Sequence, residues 1–251
     1  MRKSKYGLIG YPLGHSYSKK FFEEKFEREG IEAEYLLYEL PSLNTRDLLP
    51  DINGFNVTIP YKESIISLLD DISDEAKEIG AVNVVKRFKN EEGNPILKGY
   101  NTDAAGFETS LMNIEAFRRG NYVKALVLGT GGASKAIAYV LKSKGIEVTF
   151  VSRKKSSSAL EYTELTEEII KSHLLIVNCT PLGTFPNTEE CPPIPYDFIG
   201  PNHLCLDLVY NPSITSFMKK CAERGAIVKN GLEMLHNQAL ETWRIWNEDN
   251  I

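Results

Sequence analysis

The chain has 251 residues, of which 42% are apolar and 25% charged, and its formal net charge is −5. That length fits one large domain or two small ones, and the composition is that of an ordinary soluble globular protein. The acidic balance argues against a nucleic-acid partner, which would need clustered Lys and Arg to neutralise phosphates. The four cysteines, Cys179, Cys191, Cys205 and Cys221, form no C-x-x-C pair and no metal-ligand spacing, so no metal is expected and a reducing cytosol suits them. The apolar stretch Gly7-Leu8-Ile9-Gly10 is too short for a signal peptide or a membrane helix. A cytoplasmic protein without a membrane partner is expected. No coiled-coil heptads are present, and a monomer and a homodimer fit equally well.

In chain order, residues 6–10 predict a short buried strand, broken by Gly10 and Pro12. Residues 18–29 place Phe21, Phe22 and Phe26 on one helical face, and Gly30 closes that helix. A strand at 34–40, a short helix at 43–49 and a strand at 52–58 follow, the last ending at Pro60. Two helical stretches, 65–69 and 75–79, precede 81–88 and 95–99, which resemble a hairpin around Asn90-Glu91-Glu92-Gly93. Residues 102–113 predict a helix, and the best break in composition comes after it at Arg118-Arg119-Gly120-Asn121. Beyond the break lie an apolar strand at 123–128, a helix at 134–144 ended by Gly145, and a strand at 147–151. Buried strands at 174–178 and 204–210, a helix at 214–224, a strand at 226–229 and a helix at 232–246 complete the pattern. Strands alternating with helices predict an α/β layer fold with a mostly parallel sheet.

The strand–turn–helix unit after the break carries Gly129-Thr130-Gly131-Gly132-Ala133-Ser134. In that setting Gly129 permits a tight turn, Gly131 lets backbone approach a pyrophosphate, and the helix start offers unpaired N–H groups to it. The third position of the usual G-x-G-x-x-G falls on Ser134, a residue able to act as a helix cap. About 20 residues on, where an NAD-binding fold presents an acid to the ribose, the chain reads Val151-Ser152-Arg153-Lys154-Lys155, with no acid until Glu161. A carboxylate there would repel a 2′-phosphate, whereas Arg offers it forked donors, so NADP is favoured over NAD.

Upstream, Asn56-Val57-Thr58-Ile59-Pro60-Tyr61-Lys62 and Tyr100-Asn101-Thr102-Asp103 supply a candidate proton donor, Lys62, and a candidate carboxylate partner, Asp103. Ketone reduction needs a hydride on carbon and a proton on oxygen, and a partly buried Lys can give that proton. Singly, each residue also fits a surface lysine and a helix cap. Ser16 and Ser18 stand just before a helix, where they suit an N-cap at Ser18 or a bound carboxylate. His15 is assigned no chemistry. Asn83, Tyr210 and Gln238 are polar groups in apolar segments, and a polyhydroxylated ligand would partner them.

With these residues in hand, the chain resembles the shikimate dehydrogenase family from Ile9 to about Trp243. The matching segments are His15 to Ser18, Asn56 to Lys62, Gly80-Ala81-Val82-Asn83, Tyr100 to Asp103 and Gly129 to Ala133. They continue with Asn178-Cys179-Thr180-Pro181-Leu182-Gly183, Asp207-Leu208-Val209-Tyr210-Asn211-Pro212, and Gly231 through Met234 to Gln238. The resemblance implies reversible NADPH-dependent reduction of 3-dehydroshikimate to shikimate, on the route to chorismate and aromatic amino acids. It implies that Lys62 and Asp103 are the catalytic pair and that Ser16, Ser18, Thr58, Asn83, Tyr210 and Gln238 bind substrate, the serines and Tyr210 at its carboxylate. Gly129, Thr130, Gly131, Gly132, Ala133, Ser152, Arg153 and Lys154 match the cofactor's phosphate contacts, and Leu208 and Gly231 match backbone contacts near the nicotinamide. The fold implied is a substrate-binding catalytic domain, 1–101 plus 233–251, and a Rossmann-like NADP-binding domain, 102–232.

Four positions depart from the usual family pattern: Lys19 for Pro, Val84 for Thr, Ser152-Arg153-Lys154 for Asn-Arg-Thr, and Thr184 for Met. The third adds a cation beside Arg153, which strengthens the NADP reading. One rival is an enzyme that oxidises quinate as well, with NAD, against which the basic segment argues. A rival of another class is a non-catalytic NADP-binding sensor, which would have no need of both Lys62 and Asp103.

Overall fold

The computed structural model describes residues 3–14, 16–43, 52–154 and 156–248. The chain forms two compact units, Met1–Thr102 with Gln238–Ile251, and Asp103–Asn237. Apart from Leu43, the helix expected at 43–49 lies outside the described residues, as do His15 and Lys155.

The first unit runs β1 (Ser4–Gly10), α1 (Tyr17–Glu29), β2 (Ala33–Glu39), β3 (Gly54–Val57), a 3-10 turn (Ser64–Leu68), β4 (Asp71–Ile72), α2 (Asp74–Ile79), β5 (Val84–Lys89) and β6 (Pro95–Tyr100). Its sheet has the order β2-β1-β3-β5-β6-β4. β1 is parallel to β2 and β3, and β4 to β6, whereas β5 is antiparallel to β3 and β6. The sheet is thus mixed, and the expected hairpin is the cause. Its turn closes with the Gly93 N–H donating to the Asn90 carbonyl at 2.9 Å, at a Gly93 φ of +83° that favours glycine.

Period-two alternation sorts the strand residues onto two faces. Tyr6 and Leu8 of β1, Tyr35 and Val84 meet Phe22 and Phe26 of α1 together with Ala239, Ile245 and Trp246. On the other face Ile9, Phe55, Val57 and Val85 pack with Ile65 and Ala76. Trp246 stacks on Tyr6 at 4.6 Å between centroids and donates its Nε1–H to the Val85 carbonyl at 3.1 Å. One side chain therefore ties the end of the chain to the start of the sheet.

The second unit contains α3 (Thr102–Met112), which begins at the last residue of the first, then α4 (Glu115–Arg119), β7 (Lys124–Leu128), α5 (Gly132–Ser143), β8 (Glu147–Ser152) and β9 (Ala159–Glu161). It continues through α6 (Glu167–Ser172), β10 (Leu175–Asn178), β11 (Leu204–Asp207), α7 (Ser216–Glu223), β12 (Ile227–Lys229) and α8 (Leu232–Asn247), whose last residues join the first unit. The strands are all parallel, in the order β12-β11-β10-β7-β8-β9. Leu126, Leu128, Val151 and Ile176 pack against Ile170, Phe217 and Cys221, while Ala125, Val127, Leu175 and Val177 are equally buried. A sheet covered on both faces needs continuous apolar strands, which is why 123–128 and 174–178 stand out in the sequence.

The strand expected at 204–210 stops at Asp207. This buried carboxylate accepts from Asn178 Nδ2 at 2.9 Å, the Val209 N–H at 3.0 Å and Thr215 Oγ1 at 2.6 Å. Those bonds turn the chain away from the sheet and brace residues 208–215. Thr215 in turn caps α7 by accepting from the Met218 N–H at 3.2 Å, so the helix expected from 214 begins at Ser216.

Both tryptophans lie in the first unit, so their fluorescence reports its unfolding. Trp246→Ala is expected to lower that unit's stability by about 3–5 kcal/mol, read in urea from the remaining Trp243. Burial pushes the Asp207 carboxyl up from its ordinary 3.8 to about 6, against the lowering effect of its hydrogen bonds to Thr215, Val209 and Asn178. A raised folded-state value means that its contribution to stability is full below 3.8 and is lost as pH rises through about 6. Asp207→Asn keeps the shape and removes the titration. Wild type should therefore gain on this variant by up to roughly 3 kcal/mol between pH 7.5 and 4, followed by circular dichroism; a pH-independent difference would contradict the assignment.

Candidate functional site

In the first unit the expected substrate residues gather at one end of the sheet. Ser16 and Ser18 follow β1, Thr58 and Lys62 follow β3, Asn83 precedes β5 and Thr102 follows β6. Because β5 runs against β3 and β6, all these junctions fall on the same side. Ser16, rather than the expected Ser18, caps α1 by accepting from the Lys19 N–H at 3.3 Å. A cap must sit outside the helix with extended backbone, and Ser18 is already inside the first turn. Its hydroxyl instead lies beside that of Tyr35, whose own ionisation burial pushes far up.

After β3 the chain makes a tight turn, with the Thr58 N–H on the Ile9 carbonyl at 2.9 Å and the Tyr61 N–H on the Thr58 carbonyl at 2.9 Å. That turn delivers Lys62, half-buried, just before the 3-10 turn. The Lys62 carbonyl accepts from the Val82 N–H at 2.7 Å, and the Asn83 carbonyl accepts from the Val57 N–H at 2.8 Å. Thr58 and Lys62 thus flank Asn83, each through a neighbour's backbone. The Asn83 side chain accepts from the Thr102 N–H at 2.7 Å and donates to Thr102 Oγ1 at 3.0 Å. Thr102 Oγ1 reaches Gln238 Oε1 at 3.4 Å. Asn83, Thr102 and Gln238 are buried polar residues in contact, the arrangement expected where a polar ligand is oriented.

The other expected residues belong to the second unit. Asp103 is buried in the first turn of α3, and Tyr210 follows the Asp207 brace, its hydroxyl pushed up by burial. Gly129, immediately after β7, has φ +110° and donates its N–H to the Val151 carbonyl at 2.8 Å. The α5 cap is Gly131, with extended backbone and nothing within 4 Å of a Cβ placed there. Ser134 is therefore not the cap; it is buried inside the first turn, 3.2 Å from where a Cβ on Gly129 would lie. Thr130, Gly132 and Ala133 complete this turn, where the first N–H groups of a twelve-residue helix lack intrahelical acceptors.

Leu128 pairs with Val151, so the glycine turn and Ser152 leave neighbouring strands side by side. The Ser152 hydroxyl bonds both the carbonyl and, at 3.3 Å, the N–H of Lys154, and this turn leaves Arg153 and Lys154 exposed as two adjacent cations. Leu208 and Gly231 are in contact, because a Cβ on Gly231 would collide with the Leu208 carbonyl. All these positions follow the carboxyl ends of parallel strands, where open α/β sheets bind ligands. An open, side-chain-free helix start beside two cations fits a dinucleotide carrying a third phosphate.

Among the described residues no group of three or more His, Cys, Asp or Glu could hold a metal ion, and no helix is long and apolar enough to cross a membrane. The sequence reading missed Tyr35, Thr242 and the brace of Asp207 and Thr215. Their signal is faint: only Asp207 is a polar residue in an otherwise apolar segment, while Tyr35, Thr215 and Thr242 have polar or charged neighbours.

A model of the shikimate dehydrogenase substrate binding domain matches residues 8–85. A shikimate dehydrogenase (NADP(+)) of Clostridium beijerinckii is 42% identical over 97% of this chain and 92% of its own length. The crystal structure of shikimate dehydrogenase from Aquifex aeolicus superposes with a TM-score of 0.83 at 37% identity, covering 99% of this chain and 94% of that one. The Thermus thermophilus shikimate 5-dehydrogenase, solved in complex with NADP(H) and shikimate, gives 0.81 at 31% identity over 97% and 93%. Full-length similarity at these identities, on the same two-sheet architecture, makes this chain a member of the shikimate dehydrogenase family.

Proposed function

We propose that the protein catalyses the reversible NADP-dependent interconversion of 3-dehydroshikimate and shikimate, on the route to chorismate and aromatic amino acids. The observation that carries this reading is the buried cluster of Asn83, Thr102 and Gln238, flanked by Thr58 and Lys62 at one end of the first sheet. Such a cluster suits a small ring bearing several hydroxyls, and family membership supplies the ring.

When bound, NADPH supplies the hydride. Lys62 donates a proton to the carbonyl oxygen as negative charge develops there, and in the reverse direction its neutral amine takes the proton back. Asp103 accepts a hydrogen bond from the substrate hydroxyl next to the reacting carbon. Ser16, Ser18 and Tyr210 hold the substrate carboxylate, while Thr58, Asn83 and Gln238 hold its hydroxyls. Gly129 shapes the turn and backbone N–H groups from Thr130 to Ala133 serve the pyrophosphate, Ser152, Arg153 and Lys154 the 2′-phosphate, and Leu208 and Gly231 the nicotinamide end.

A spectrophotometric assay pairing shikimate and quinate with NADP and NAD tests the reading. Shikimate with NADP should be the best of the four combinations, and no turnover with shikimate would refute it. Lys62→Ala should lower kcat by about 100-fold or more with little change in shikimate affinity, as for loss of a general acid. Arg153→Ala should raise KM for NADPH by roughly 10-fold, the worth of a hydrogen bond to a charged group, and leave weak NADH use nearly unchanged.

A further inference from the structure

Thr242 lies on α8, fully buried, with three hydrogen-bond partners on its one hydroxyl. It donates to the Gln238 carbonyl at 2.8 Å, the ordinary back-bond of a helical threonine. The other two contacts come from outside the helix: Asn56 Nδ2 of β3 at 3.3 Å and Thr102 Oγ1 at 3.2 Å. We propose that Thr242 is a positioning residue for the substrate, its hydroxyl being the junction that holds Thr102 and Asn56 and, through them, Asn83, Gln238 and Ser18. The proposal rests on the functional reading above and deepens it.

Counting protons gives the chain its direction. Asn83 Oδ1 receives the Thr102 N–H, so Asn83 Nδ2 must face Thr102 Oγ1, and the amide has one orientation. Having accepted that bond, Thr102 Oγ1 has a single proton to give. Thr242 Oγ1 at 3.2 Å, and Gln238 Oε1 and Asn83 Oδ1 at 3.4 Å each, compete for it. Thr242 has already given its own proton to the Gln238 carbonyl, so toward Thr102 and Asn56 it can only accept. On the far side Asn56 Oδ1 accepts from the Tyr35 hydroxyl at 2.8 Å, and the Ser18 hydroxyl lies beside that of Tyr35. Without the Thr242 hydroxyl, the Thr102 proton falls to Gln238 Oε1 and Asn83 Oδ1, and Asn56 Nδ2 is left with the Asn83 carbonyl at 3.3 Å. The first change falls on the Asn83 and Gln238 side chains assigned to the substrate, the second on Asn56, which bonds Tyr35, and neither on the cofactor residues.

Thr242→Val keeps the shape and deletes the hydroxyl. Its expected effect is about a tenfold rise in both KM and calorimetric Kd for shikimate, the worth of one buried hydrogen bond, with KM for NADP unchanged. Thr242→Ser should restore both constants. Tyr35→Phe, which removes the hydroxyl at the other end of the chain, should also raise KM for shikimate alone. The proposal is overturned if Thr242→Val binds shikimate like wild type, or if shikimate and NADP constants worsen together with the melting temperature and Thr242→Ser does not rescue. Should Thr242→Val fail to fold, Tyr35→Phe with an unchanged shikimate KM overturns it equally. A wild type that neither binds nor oxidises shikimate refutes the functional reading itself, and this proposal with it.

Discussion

Polar groups placed inside an apolar layer must find partners, and that constraint shapes both units of this protein. In the first unit Asn56, Asn83, Thr102, Gln238 and Thr242 lie buried among aromatic and aliphatic side chains, and each hydrogen-bonds to another member of the group. Leaving one such group without a partner costs more than a completed bond contributes, so the network holds its members in defined rotamers. A surface that must recognise several hydroxyls benefits from that rigidity, because the orienting cost is met on folding rather than on binding.

The same constraint operates in the second unit at Asp207. A carboxylate at the end of a central strand is tolerable because three donors converge on it, and their convergence ends β11 and shapes the segment leading to Leu208 and Tyr210. Parallel pairing then does the rest. With every strand pointing the same way, the glycine turn, the basic pair at Arg153 and Lys154, and the Leu208–Gly231 contact all emerge at the carboxyl end of the sheet. The helix N-terminus at Gly131 adds donors and a favourable dipole at the same edge.

Much of this was legible beforehand. Apolar runs at 123–128 and 174–178 could only be strands covered on both faces, and the Asn90–Gly93 turn named its hairpin. Errors fell where local rules compete. Ser16 and Ser18 are both good caps, and only the path of the chain out of β1 selects the first. Ser134 has the chemistry of a cap but stands three residues inside the helix start chosen by Gly131. Short elements such as β4, β9 and α6 carry too few residues for a period to show.

Sequence alone determined the kinds of element, the two glycine-marked and basic turns and the residue types able to move a proton, because these follow from periodicity and side-chain chemistry over a few neighbouring positions. Only the tertiary structure decided which polar residues share a hydrogen bond. Tyr35, Asn56, Asn83, Thr102 and Thr242 come from five separate stretches of chain, and no spacing between them is periodic. Their meeting is set by the register of β1, β3, β5 and β6 and by the docking of Trp246, which are properties of the packed layer rather than of any one segment.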